Sequence, residues 1–147
     1  MFNDQNKKLP LYIAGKKGWK TNRLIKKFET NTNIVKWLGG VCDSSLHDLY
    51  SHSTVFVSAS KAEGFNLPVE EAISYGVPAV ISSINVHREI YNGRAVFFDL
   101  NSIDSLNSGV VRAIEMRKMF NLHDINDARE SSQQEILKIA IEVVLGR

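Results

Sequence analysis

The sequence predicts an α/β fold with a mostly parallel sheet flanked by helices. Three observations carry that expectation. Short apolar runs rich in β-branched and aromatic residues alternate with longer stretches whose apolar residues fall at helical spacing. Glycines and an Asn-Gly pair punctuate the changes of period. The 147 residues, 44% hydrophobic and 23% charged, suffice for one domain with a sizeable core. Strands alternating with helices argue for βαβ units.

Leu9 to Ala14 is the first predicted strand, stopped at Gly15. Thr21 to Phe28 follows as a helix, with Leu24, Ile25 and Phe28 on one face. Asn33 to Leu38 is the second strand, closed by Gly39-Gly40. Asp43 or Ser44 caps a helix carrying Leu46, Leu49 and Tyr50. Thr54 to Ser58 is the third strand. A loop from Ala59 to Asn66 leads into a helix over Leu67 to Tyr75, which Gly76 ends. Val77 to Ser82 is the fourth strand, followed by a short helix near Val86 to Tyr91. The Asn92-Gly93 turn precedes a fifth strand, Ala95 to Asp99. Ser102 to about Lys118 is helical, with Leu106, Val110, Ala113 and Ile114 aligned. The polar stretch Asn121 to Gln134 is a loop or hinge. Ser131 or Ser132 then caps a last helix holding Ile136, Ile139, Ala140, Val143 and Val144, so that 121–147 forms a helical tail to a single domain over 1–147.

Composition excludes several classes. The net charge of +2, from 18 basic against 16 acidic residues, is too weak for a dedicated nucleic-acid binder. No run approaches the length of a membrane span. Met1 to Lys8 is polar and has no signal-like apolar core. The single cysteine, Cys42, excludes an internal disulfide framework and a multi-cysteine metal site. A cytoplasmic setting is expected.

The densest signal is the segment Ser58 to Pro78, between the third strand and the next helix. Ligands of open α/β sheets bind at this carboxyl edge. Gly64 lets the backbone approach a ligand or take positive φ. Asn66 can cap the helix, and Pro68 is tolerated in its first turn. The free N–H groups there favour an anion such as a diphosphate. Val69, Ala72, Ile73 and Gly76 form the stripe that faces the sheet. Glu71 lies off that stripe and faces either bulk water or a ligand cleft; periodicity does not choose.

Glu63-Gly64-Phe65-Asn66-Leu67-Pro68-Val69-Glu70-Glu71-Ala72, with the trailing Gly76-Val77-Pro78, resembles the E-x7-E signature of retaining glycosyltransferases of family four. The likeness runs from roughly Leu9 to Ile114. It takes in Leu38-Gly39 through Leu46, Leu49-Tyr50, Val80 to Ser83, Glu89, and Ala95 to Asp99. It implies one half of a GT-B architecture, the Rossmann-like domain that holds a UDP- or GDP-linked sugar donor. By that resemblance Glu63 is the catalytic residue, bonding donor-sugar hydroxyls and stabilising charge as the glycosidic bond breaks. Gly64, Phe65, Asn66 and Leu67 lie against sugar and diphosphate, Glu71 accepts from the ribose hydroxyls, and Val41 touches the base. Asn66 stands where glycine is commoner, and Asn tolerates an unusual backbone conformation. No cofactor and no metal are implied. The partners implied are the donor and either an amino-terminal acceptor domain or a partner chain. Some members act at membranes, so peripheral association at an inner membrane face is a further expectation.

Other features carry less. Gly15-Lys16-Lys17-Gly18-Trp19-Lys20 lacks the Walker spacing, which leaves Lys16 and Lys17 as possible phosphate contacts or a solvated turn. His47, His52, His87 and His123 show no metal-ligand spacing and are expected at the surface or at caps. Cys42 has no visible base partner, Trp19 and Trp37 are expected to pack, and Arg112, Arg117 and Lys118 form a solvated helix face. Helix capping explains Ser82, Ser83 and Glu89 as well as a site role does. The alternative function is a non-catalytic nucleotide-sugar-binding module or accessory remnant. A nucleotide-sugar epimerase is weaker, because the loop context argues against it.

The register with the family implies that its first, central strand is missing at the amino-terminal end. Leu9–Ala14 is then expected to pair directly with Thr54–Ser58 or Val77–Ser82, or a partner chain fills the gap. Such a chain by itself transfers little or no sugar.

Overall fold

The computed structural model describes residues 3–4, 7–18, 21–30, 34–124 and 138–142, with side chains over 9–18, 21–30 and 34–117. A two-stranded antiparallel ribbon, β1 (Asn3–Asp4) and β2 (Lys7–Lys8), opens the chain. Then come β3 (Leu11–Ala14), α1 (Asn22–Glu29), β4 (Val35–Gly39), α2 (Asp43–Ser51) and β5 (Ser53–Ser58). They are followed by α3 (Leu67–Ser74), β6 (Ala79–Ser82), α4 (Asn85–Tyr91), β7 (Val96–Phe98), α5 (Ile103–Asp124) and β8 (Lys138–Glu142). The expected α/β class holds, and the five expected strands and five of the expected helices form within a few residues of their predicted limits.

The main sheet has the order β4-β3-β8-β5-β6-β7, and its described pairings are all parallel. Its middle corrects two expectations. Residues 138–142 are a strand, not the last turns of a tail helix. Ile139, Ala140 and Ile141 form a short apolar run, and periodicity cannot separate such a run between strand and buried helix. Here the decision is tertiary. β8 is bonded on one side to β3, with Leu11 opposite Ile139, and on the other to β5, with Val57 opposite Ile141. Both edges of its backbone are paired, as a central strand requires. Leu9–Ala14 therefore does not pair with Thr54–Ser58 or Val77–Ser82. The strand between β3 and β5 comes from this same chain, so the argument for a sheet lacking its middle fails. Of the expected helical tail, 121–124 belongs to α5. Ser131, Ser132, Ile136, Val143 and Val144 lie outside the described residues.

Side-chain alternation sets the layers. Val55, Val57 and Val80 point to one face, where they pack with Val110, Ala113 and Ile114 of α5. Phe56, Ala79 and Ile81 point to the other, against Tyr50 of α2, Val69 and Ala72 of α3, and Tyr91 of α4. β5 is buried on both faces, which is why it reads as a continuous apolar run. α5 lies across β7, β6 and β5. It thereby carries the chain back from the β7 edge toward the place where β8 enters. Gly109 permits the close approach, since a Cβ there would meet Val80 Cγ1 at 3.1 Å.

The end of α3 is fixed as expected. Gly76 takes φ 69°, a left-handed conformation that costs a glycine little. The Gly76 N–H donates to Ile73 O at 2.9 Å and the Val77 N–H to Ala72 O at 3.0 Å. Of the stripe expected to face the sheet, Val69 and Ala72 are buried and Ile73 is partly buried, whereas Gly76 is exposed at the cap.

Candidate functional site

A cavity of about 220 Å³ opens at the carboxyl edge of β3, β4 and β5. Its wall includes Lys16 and Gly40 from the loops after β3 and β4, Val41, Tyr50 of α2, and Pro68 and Glu71 of α3. Three of the residues singled out in the sequence, Lys16, Val41 and Glu71, are thus brought to one place. Glu71 is exposed to solvent and also lines this cavity. Its Oε2 accepts from the Tyr50 hydroxyl at 3.0 Å. Tyr50 is buried and its ring stacks on Tyr75 with centroids 5.4 Å apart. The same hydroxyl lies 3.4 Å from the Pro68 carbonyl oxygen. A carboxylate fixed by a phenol, at a cavity that a lysine also lines, suits a ligand bearing both hydroxyls and negative charge. Lys17 is exposed and does not line the cavity.

Glu63, Gly64, Phe65, Asn66 and Leu67 lie in the neighbouring loop and do not line this cavity. Glu63 is half-buried, and its Oε1 accepts from the Ser60 hydroxyl at 2.6 Å. Gly64 does not use positive φ, yet a Cβ placed there would meet nothing within 4 Å, so the space beside its backbone is open. Phe65 and Leu67 are 52% and 62% exposed.

Asn66 corrects two expectations. Its φ of −94° is ordinary, so the position needs no special backbone tolerance. It sits at the N-cap of α3 but makes no side-chain cap bond. Its amide is instead turned into the core, donating to Ser58 Oγ at 2.9 Å and to His87 Nε2 at 3.2 Å. Two other readings change. His87, expected at the surface, is wholly buried. Arg117, expected on a solvated face, donates from Nη1 to the Ser53 carbonyl. His47 and His52 are exposed as expected, the latter with Nδ1 2.8 Å from Asp48 O at the end of α2. Ser82 is buried and bonds the Ser60 carbonyl rather than a helix end, and Ser83 Oγ accepts from Arg88 Nε at 2.7 Å. The Trp37 indole donates to Gly15 O at 3.2 Å, while Trp19 and the side chains of Lys118 and His123 lie outside the described residues.

Sequence reasoning missed Tyr50 and His87 as site residues. Tyr50 had a signal, since it falls in the Leu49-Tyr50 stretch that carries part of the resemblance. His87 had none, because nothing local distinguishes a buried histidine from an exposed one. Among the described residues no group of three or more His, Cys, Asp or Glu is placed to hold a metal ion, and no helix is long and apolar enough to cross a membrane.

Over 108 residues the chain is 32% identical to an O-antigen chain mannosyltransferase B of Escherichia coli, covering 72% of this chain and 28% of that protein. Over 97 residues it is 35% identical to the serotype-specific mannosyltransferase WbdA of Escherichia coli, covering 64% of this chain and 12% of that protein. The chain thus spans well under two thirds of the length of these relatives. The family model for glycosyl transferases group 1 matches residues 1–130. That match takes in the cavity and the loop beside it, and the chain belongs to the glycosyl transferases of group 1.

Proposed function

We propose that this chain is the donor-binding part of a retaining glycosyltransferase of GT-B architecture. It takes a nucleoside diphosphate sugar whose sugar is mannose and passes that sugar to a glycan or lipid acceptor. The observation that carries the reading is the placement of Glu71, which Tyr50 holds at a cavity shared with Val41 and Lys16. The similarity to two mannosyltransferases supports the choice of sugar.

In this reading the nucleoside enters the cavity. Glu71 accepts from the ribose hydroxyls, the chemistry by which an acidic residue recognises ribose in other dinucleotide folds. Val41 lies against the base. The diphosphate meets Lys16 and the Leu67 N–H at the start of α3, where Pro68 has no N–H and those of Val69 and Glu70 already donate to Asn66 O, and no metal ion is called on. The sugar extends along the open side of Gly64, where Glu63 bonds its hydroxyls. As the bond from the anomeric carbon to the phosphate oxygen breaks, the diphosphate leaves with the electron pair. Positive charge grows on the sugar ring, and the Glu63 carboxylate stabilises it. The acceptor hydroxyl then attacks the same face, its proton passing to the departing phosphate oxygen, and configuration is retained. An acceptor-binding domain, in the same polypeptide or in a partner, completes the cleft at the exposed Phe65 and Leu67.

Titration with GDP-mannose and UDP-mannose, followed by NMR or calorimetry, tests the reading. Binding of one nucleotide sugar is expected, lost in Glu71→Ala. Glu63→Ala is expected to keep the nucleoside diphosphate but lose the added affinity from the sugar. A folded chain that binds neither nucleotide sugar sinks the proposal. In the transferase assembled with its acceptor domain, unchanged transfer by Glu63→Ala indicates a non-catalytic module instead.

A further inference from the structure

Beside the cavity lies a buried polar network that the proposed chemistry leaves unused. His87 on α4 is wholly buried, and a buried imidazole needs partners for both nitrogens. Its Nδ1 is 2.8 Å from the Ser82 carbonyl oxygen. A carbonyl only accepts, so Nδ1 carries the hydrogen, and Nε2 is left to accept from the Asn66 amide at 3.2 Å. Tyr91, also on α4 and also wholly buried, donates its hydroxyl to the Asn66 carbonyl at 2.9 Å. A second branch leaves Ser82, whose hydroxyl donates to the Ser60 carbonyl at 2.5 Å. Ser60 Oγ in turn donates to Glu63 Oε1 at 2.6 Å.

The two branches grip the loop at residues 60 and 66, while Gly64 and Phe65 between them are exposed. Apart from the Phe65 ring against Tyr91, with centroids 6.5 Å apart, the middle of the loop has little packing of its own, and its place is set mainly from its ends. We propose that His87 is a positioning residue for the sugar-donor loop. It orients Asn66 through Nε2 and Ser82 through Nδ1, and so fixes where Glu63 and the Gly64 backbone stand. His87 touches no substrate. The inference rests on the donor reading above.

Two variants separate its two grips. The amide of His87→Gln reaches the place of Nε2 and can still accept from Asn66. The amide of His87→Asn reaches only the place of Nδ1 and leaves the Asn66 amide with its bond to Ser58 Oγ alone. Measured at temperatures well below each variant's melting point, His87→Asn is expected to weaken donor binding about tenfold and His87→Gln to restore most of it. Tyr91→Phe, which keeps the ring and removes the third grip, is expected to weaken it about threefold and covers the case in which His87→Asn does not fold. Equal affinity in all three overturns the inference. So does a loss that simply follows melting temperature, because that is a structural role alone. If the wild-type chain binds no donor, the donor reading fails, and the tie is judged on the free protein. Faster amide exchange over residues 61–67 in His87→Asn and Tyr91→Phe, but not in His87→Gln, then upholds it; no change in exchange refutes it.

Discussion

The Tyr50 hydroxyl donates to Glu71 Oε2 at 3.0 Å, across the wall of a cavity that both residues line. This links a buried residue of α2 to an exposed carboxylate of α3. The ring of Tyr50 is held separately, against Phe56 at 5.9 Å and Tyr75 at 5.4 Å. Orientation and packing can therefore be separated by one substitution. Tyr50→Phe keeps the ring contacts and removes the hydroxyl. A stability loss of about 1 kcal/mol is expected in urea unfolding, the typical net worth of such a bond. Nucleotide affinity is expected to fall several-fold, since Glu71 is free to turn toward solvent. Unaltered affinity with the expected stability loss implies that Glu71 does not need Tyr50 to meet its ligand.

The central place of β8 makes a second prediction. Ala140 stands opposite Tyr12 on one side and Phe56 on the other. A proline there removes a backbone donor in the middle of a sheet, where prolines are hardly tolerated. Ala140→Pro is expected to cost about 3 kcal/mol or more and to loosen β3 and β5 together. Amide exchange should then quicken in Tyr12 and Val57, since the Phe56 N–H donates away from β8, to Pro78 O at 3.0 Å. A variant with wild-type stability and unchanged exchange in β3 and β5 shows that 138–142 is not the central strand.

These two cases mark what local sequence can and cannot disclose. β5 and α3 were legible because each carries its own signal: a doubly buried apolar run in one, and a Pro start with a Gly76 stop in the other. β8 was not. Its five residues suit a strand or a helix, and only the vacancy between β3 and β5, far away in sequence, decides. The site divides in the same way. Glu63 and Glu71 stood out by their spacing, and the family signature supplied their expected roles. The inward-turned amide of Asn66 meets Ser58 and His87, the latter 21 residues further on, and no pattern in the loop announces it.

Cys42 is the exposed N-cap of α2, and its thiol lies 3.2 Å from Ser44 Oγ and 3.3 Å from Ser45 Oγ. Hydrogen bonds from Ser44 first, then Ser45, favour the thiolate and lower its pKa to about 7 from 9.0. Alkylation by iodoacetamide should therefore rise with a midpoint near neutral pH, and Ser44→Ala should move that midpoint upward. The sign for stability follows. The folded-state value lies below the unfolded one, so the thiolate's bonds favour folding fully only above the unfolded value. That contribution is lost as the pH falls through about 7. A midpoint at the ordinary thiol value in the wild-type chain contradicts these bonds.

Arg94 offers a test of how little an exposed ion pair contributes. Its Nη2 lies 2.6 Å from Glu70 Oε1, with the two side chains 45% and 39% exposed. The guanidinium also stands over the Tyr91 ring at 5.8 Å. Exposed ion pairs and solvent-facing cations over rings contribute little. Arg94→Ala is thus expected to lower stability only slightly. Added salt should shrink only the part owed to Glu70. Arg94→Lys should keep some of the ion pair while losing the planar fork and its stacking. A much larger loss in Arg94→Ala would mean that the contact with Tyr91 also secures Asn66, because the Tyr91 hydroxyl bonds its carbonyl at 2.9 Å. Donor affinity in that variant decides between the two. It stays at the wild-type level if Arg94 acts only on the surface, and falls with Tyr91→Phe if it braces the loop.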